Sequence, residues 1–131
     1  MAKEEPFQMN NTSNINPAFL PAHKLAEELR LRRISSIDLV EELLQRISAE
    51  DSKFHSFVEI YGQDAREAAA AADKAIRSGN AVGPLHGIPI ALKDLIEIEG
   101  RIVTGGSASR LQHRASRTAT IVNRLIAQGM I

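Results

Sequence analysis

Between Gly83 and Asp94 the chain reads GPLHGIPIALKD, in which a loop of two glycines and a proline runs into the apolar stretch Ile88 to Leu92 and ends on a lysine and an aspartate. A continuous apolar run of this length, bounded by turn residues, is the pattern of a strand covered on both faces. Such strands belong to sheets flanked by helices, so the stretch commits the chain to an α/β arrangement. The preceding sequence fits that frame. SFVEIY, from Ser56 to Tyr61, is β-branched and aromatic enough for a strand. Asp64 to Arg77 is alanine-dense and helical, with Asp73 and Arg77 spaced for an i, i+4 ion pair. Ser78-Gly79-Asn80 supplies C-cap chemistry, and residues 56–92 therefore read as a βαβ unit.

Three further helices follow from periodicity. Pro21 suits a first turn, and Leu25 and Leu29 share one face of a helix running to about Arg33. Ser35 or Ser36 supplies an N-cap, after which Val40, Leu43, Leu44 and Ile47 fall at i, i+3, i+4 and i+7. Thr118 or Ser116 caps a last helix whose stripe is Ile121, Val122, Leu125 and Ile126, closed by Gly129. Met130 and Ile131 after that glycine read as the start of a further buried strand. Residues 1–20 are rich in Asn, Ser, Pro and Glu and read as a flexible leader. About four helices and two strands leave unpaired strand edges, so residues 21–131 are expected to be an incomplete folding unit.

Charge and composition exclude more than they specify. Sixteen Lys and Arg balance sixteen Asp and Glu, which gives no global field for nucleic acid or anionic lipid. With no cysteine there is no disulfide framework, thiolate metal site or cysteine nucleophile. The N-terminal segment carries acids and amides where a signal peptide needs an apolar centre, and Ile88 to Leu92 is too short to span a bilayer. The expected location is the cytoplasm, without membrane association.

The chemistry centres on Lys93. Period-two alternation places it on the face of Pro89, Ala91 and Leu95, an uncharged row, with Asp94 on the opposite face. A lysine in such a row could be desolvated, and burial or a nearby cation favours the neutral amine that can accept a proton. A rigid strand would also hold that amine in place, as general acid or base chemistry requires.

From about Ala22 to Ile131 the chain resembles the N-terminal part of an amidase signature family member. RRISSIDLVEELLQRI, SFVEIYGQDAREAAAAAD, GPLHGIPIALKDLIEIEG, TGGS and TATIVNRLIAQG occur in the family's order, and GPLHGIPIALKD is the most specific block. The resemblance implies a mixed, twisted sheet wrapped by helices, of which this chain would be the N-terminal fragment. It implies hydrolysis of a carboxylic amide to acid plus ammonia or amine by a serine, a bridging serine held in a cis peptide, and a lysine that relays protons, with no cofactor and no metal. Lys93 matches the lysine. Thr104 and Ser107, in the loop after it, match residues lining the site. Both family serines, and the amides of the oxyanion hole, would lie after residue 131, so the chain alone is expected to be inactive. The small-molecule amide substrate would belong to the complete enzyme.

Other residues have plainer explanations. Ser107 and Ser109 in TGGSASR tempt a nucleophile assignment, but the segment matches the loop after the lysine and its glycines suit a turn. His86 lacks a second ligand at metal spacing and reads as a loop-packing residue; His23, His55 and His113 read as surface residues. Gly83 and Gly87 do not form a phosphate loop, because Asp94 follows the lysine where Ser or Thr is needed. Arg110, Arg114 and Arg117 read as a solvated loop, and Thr118 stands where the family commonly has Asp. Two other functions share these features. One is a non-catalytic module that exposes the helical faces of residues 22–49 to a partner or to a second copy in a homo-oligomer. The other is a fragment of the tRNA-transamidating subunit of the same family.

Overall fold

A computed structural model describes residues 16–80 and 82–131. Four α-helices are found among them: α1 (Ala22–Arg30), α2 (Ser36–Phe54), α3 (Gly62–Arg77) and α4 (Thr120–Ala127). Of the expected leader, residues 1–15 lie outside the described residues. Its last five residues pack on the helices: Pro17–Phe19 forms a 3-10 turn capped by Asn16, whose amide also donates to Glu42 at 2.6 Å. The Phe19 ring lies 4.1 Å from the Arg46 guanidinium.

The core gathers Leu25, Ala26 and Leu29 of α1, Leu39 of α2 and Ile88, with Leu20, Ile34, Leu43, Ile76, Leu85 and Met130 packed around them. Leu29 and Leu39 are 1% and 2% exposed, so truncating either to alanine removes contacts worth about 2–5 kcal/mol. Ala69 and Ala72 are buried, which explains the alanine density of α3: small side chains let it approach its neighbours closely. The helical faces of 22–49 that a docking module would expose are thus turned inward. Leu31 is the large apolar side chain of residues 22–49 that stays exposed; the others include Phe54, Val58, Ile60, Leu95, Ile121 and Ile126.

Capping follows the sequence at α2 and departs from it at α4. Ser35 accepts from the Asp38 amide at 3.0 Å, while Ser36 turns inward and is fully buried. Thr118 and Ser116 do not cap α4. Its N-cap is Ala119, without a side-chain bond, because the Thr118 hydroxyl accepts from the Glu99 amide at 3.1 Å instead. Asp73 also departs from expectation. Rather than pairing with Arg77 along α3, its carboxylate accepts from the amides of Ser36 at 2.8 Å and Ile37 at 3.2 Å. It thereby satisfies two orphan donors at the start of α2, which an exposed arginine could not replace.

The two expected strands are not formed as strands among the described residues. Over 56–61 the chain is irregular, bends at Val58 and is largely exposed, and its first amides, Ser56 and Phe57, turn back to the Asp51 carboxylate at 2.7 and 3.3 Å. β-propensity reports fit to a pleated, half-buried surface, and no neighbouring segment offers one. Over 88–92 the chain is extended and begins a pairing without continuing it. Gly87 donates to Gly129 at 2.9 Å, Ile131 to Ile88 at 3.0 Å and Ile90 to Ile131 at 2.8 Å. Bonds from Ile131 that straddle Pro89 in this way have parallel register, but Met130 and Ile131 are half-buried and form no strand. A single register pair falls short of a ladder. Elsewhere an isolated antiparallel bridge joins Ile102 and Arg114.

The Gly-Pro loop is pressed against the end of α4. Leu85 donates to the Gln128 carbonyl at 3.1 Å, and a Cβ on Gly83 would lie 2.1 Å from that same oxygen. Gly129, at φ 92°, would place a Cβ 2.7 Å from the His86 Cα. Backbone meets backbone here, so a side chain cannot simply rotate away.

Replacing Gly83 with alanine is expected to cost about 1–3 kcal/mol through overpacking. Asp73→Ala is expected to cost about 1–3 kcal/mol by leaving the α2 amides unpaired in a buried position. Urea denaturation of each variant against the parent chain measures both.

Candidate active site

The lysine segment is anchored at its start and clamped at its end. At the start, the Ser36 hydroxyl donates to the Gly87 carbonyl at 2.6 Å. The His86 Nε2–H donates to the Ala72 carbonyl at 3.1 Å, which gives His86 the packing role expected of it. Gly87 has φ 79°, and a Cβ there would meet Ser36 at 3.1–3.2 Å. Ile88, 3% exposed, then plugs the core.

From Ala91 on, exposure alternates: Ala91, Lys93 and Leu95 are exposed, while Leu92 and Asp94 are half-buried. Pro89 and Ile90 break the expected two faces, Pro89 being half-buried and Ile90 exposed, and the side of Lys93 is the open one. The sequence pattern identified an uncharged row and could not tell that nothing in residues 16–80 and 82–131 covers it. Among the described residues no hydrogen-bond partner meets the Lys93 ammonium.

Asp94 was expected only to point away from the lysine. It is the most heavily engaged side chain of the region. Its carboxylate accepts from the Thr104 amide at 2.8 Å, from the Thr104 hydroxyl, and from the Gly106 amide at 3.4 Å. Its backbone carbonyl accepts from Gly105 at 2.8 Å. Gly105 and Gly106 adopt φ 58° and 76°, and successive left-handed residues aim their amides into one concavity that suits an anion. The Thr104 hydroxyl and these amides hold the Asp94 carboxyl below its usual range; the hydroxyl bond is the largest cause, and the nearby Arg110 charge adds to it. A sequence signal for this existed: an acid beside the lysine and a Thr-Gly-Gly turn ten residues on.

Thr104 and Ser107, expected to line the site, divide in role. Thr104 is 3% exposed and committed to Asp94, so it holds the loop instead of facing a ligand. Ser107 is half-buried, and its hydroxyl shares a hydrogen bond of 2.9 Å with Ser109. The expected solvated arginines are partly recruited. Arg114 donates to the Gly100 carbonyl at 2.7 Å and Arg117 to Glu97 at 3.2 Å. Beneath this loop Arg101 stacks 3.9 Å from the Tyr61 ring and pairs with Asp64, while the Tyr61 hydroxyl accepts from Ile102 at 3.1 Å. These contacts tie the 100–115 segment to the start of α3. Among the described residues no group of three His, Asp or Glu side chains could hold a metal ion.

The family model described as Amidase matches residues 38–131. The chain belongs to the amidase signature family. A glutamyl-tRNA(Gln) amidotransferase subunit of Chloroflexus aurantiacus is 38% identical over 98 residues, which are 75% of this chain and 20% of that protein. A bacterial aryl acylamidase of the amidase signature family superposes with a TM-score of 0.82 at 25% identity, over 88% of this chain and 25% of its own. The peptide amidase of Stenotrophomonas maltophilia superposes with a TM-score of 0.76 at 30% identity, over 91% of this chain and 24% of its own. The chain thus has the fold of part of an amidase signature enzyme and spans 20% of the length of the Chloroflexus relative. No helix among the described residues is long and apolar enough to cross a membrane.

Because the folded carboxyl of Asp94 titrates below its unfolded value, its contribution is present above the unfolded pKa and is lost as pH falls through the folded one. Amide exchange protection at Thr104 and Gly106 is therefore expected to hold from neutral pH to about 4, the ordinary aspartate range, and to vanish on further acidification. Asp94→Asn should abolish that acid dependence, as NMR-detected exchange would reveal.

Proposed function

We propose that this chain supplies the lysine arm of an amide-hydrolysing site, with Lys93 as the proton relay. The observation that carries the reading is the anchoring of the segment that bears Lys93: Gly87 at its start is held by the Ser36 hydroxyl and Asp94, next to the lysine, by the Thr104 loop, within the family's lysine block. In the complete site a serine hydroxyl would give its proton to the neutral amine and attack the amide carbon. The resulting acyl-enzyme forms as the amine or ammonia leaves with that proton, and water then releases the acid. The open face of Ala91, Lys93 and Leu95 must be covered before burial can favour a neutral amine. The serines and the oxyanion donors are not among these residues in this reading, and the substrate is an uncharged carboxylic amide of unspecified size.

A second reading is favoured by the relatives named as glutamyl-tRNA(Gln) amidotransferase subunits: the same lysine arm serving transfer of ammonia to an acyl group on tRNA. It uses the same Lys93 chemistry and differs in the acceptor. The non-catalytic module has less to rest on, since Leu25, Leu29, Leu39 and Val40 of residues 22–49 are buried within this chain.

The purified 131-residue chain is expected to show no amide hydrolysis; turnover abolished by Lys93→Ala would overturn this. In a polypeptide where the segment continues in frame into a serine-bearing remainder, a fluorophosphonate should label the serine. There, Lys93→Ala should lower kcat by about 10²–10⁴-fold, the usual worth of a positioned general base. Conversion of Glu-tRNA(Gln) to Gln-tRNA(Gln) by that polypeptide, with its partner subunits, would select the second reading.

A further inference from the structure

We propose that Asp94 is a positioning residue for Lys93, one that locks the Thr104 to Ser107 loop onto the lysine's own backbone so that the lysine and the loop hydroxyls move as one unit. This rests on the reading of Lys93 as proton relay. The amides of Leu95 and Ile96 both turn onto the Lys93 carbonyl, at 2.7 and 2.9 Å. That tight turn swings Asp94 off the extended line and into the loop, where four donors meet it: the Thr104 amide and hydroxyl, the Gly106 amide, and Gly105 on its backbone carbonyl.

The loop then continues rigidly. Thr104 Oγ1 accepts a further bond from Gly106 at 3.0 Å, and the Ser107 amide donates to the Thr104 carbonyl at 3.1 Å. Ser107 in turn meets Ser109 at 2.9 Å. A path of hydrogen bonds therefore runs from Asp94, the residue next to the lysine, to a pair of hydroxyls. A lysine side chain has four flexible carbons and a high rotamer entropy. Proton transfer needs its amine held within about 0.5 Å of a productive position. Since the described residues hold the backbone of Lys93 and not its ammonium, fixing the backbone and the neighbouring hydroxyls is what this chain can contribute. A carboxylate is the suitable clamp: it accepts from all the convergent donors at once, whereas asparagine would present an amide N–H₂ to one of them.

The test has two arms. In the 131-residue chain, Asp94→Ala is expected to accelerate amide exchange at Thr104 and Gly106 on the order of tenfold, the loss of about one net hydrogen bond each, with exchange in α2 and α3 unchanged. Thr104→Val, which removes the hydroxyl's bond to Asp94 and the 3.0 Å bond it accepts from Gly106, should accelerate exchange at Gly106 while the Thr104 amide stays protected by Asp94, and serves if Asp94→Ala does not fold. Unchanged exchange in both variants overturns the proposal. In the amidase-length polypeptide carrying this segment, Asp94→Ala is expected to lower kcat by about 10²-fold, the effect of a small misplacement, with KM nearly constant and partial recovery in Asp94→Asn. A loss confined to KM, or an unchanged kcat where Lys93→Ala abolishes turnover, overturns the positioning role alone. Unchanged turnover in Lys93→Ala overturns the relay reading itself.

Discussion

The Asp73 carboxylate, reaching from α3 into the first turn of α2, is the contact on which the rest of the molecule depends. It satisfies the Ser36 and Ile37 amides, which fixes where α2 begins. Ser36 is then free to donate its hydroxyl hydrogen bond to the Gly87 carbonyl, and Gly87 opens the lysine segment. One buried acid thus sets the relation of two helices and, through a single hydroxyl, the origin of the segment that ends in Lys93. Hydrogen bonds to a charged group are among the stronger ones. Around this polar node the apolar core of Leu25, Leu29, Leu39 and Ile88 closes.

A second acid does for the end of the segment what Asp73 does for its beginning. Asp94 collects the donors of a left-handed Gly-Gly turn, and the lysine between the two anchors is carried on an extended backbone with its side chain on the open face. The arrangement separates two tasks. Holding the lysine's backbone is accomplished by residues within this chain. Covering its face, which the proposed chemistry needs, falls to residues outside those described, and the exposed row of Ala91, Lys93 and Leu95 is where that cover must rest.

Much of this was legible in residue order. The four helices follow from spacing, and the Ser35 cap, the Ser78-Gly79 ending and the Gly129 stop sit where their side chains or lack of side chains predict. The block GPLHGIPIALKD identified the family; its Gly83 answers to a close contact with the Gln128 backbone that only a missing Cβ permits, and its Gly87 to a left-handed φ of 79°. What misled was local chemistry with more than one outlet. Asp73 had an arginine four residues along and found two buried amides instead. Thr118 had a helix to cap and bonded Glu99. In each case the competing partner lies far away in sequence, where periodicity carries no information.

The sequence alone determined the family and the helices, because these rest on short-range spacing and on side-chain type. Tertiary structure alone decided how Lys93 is held: which acid anchors which loop, and which face of the segment stays open. Hydrogen-bond partners and burial are set by the convergence of distant segments. The same Ile-Pro-Ile-Ala-Leu run that reads as a covered strand is extended here with one parallel register pair, since a strand exists only when a neighbour pairs with it.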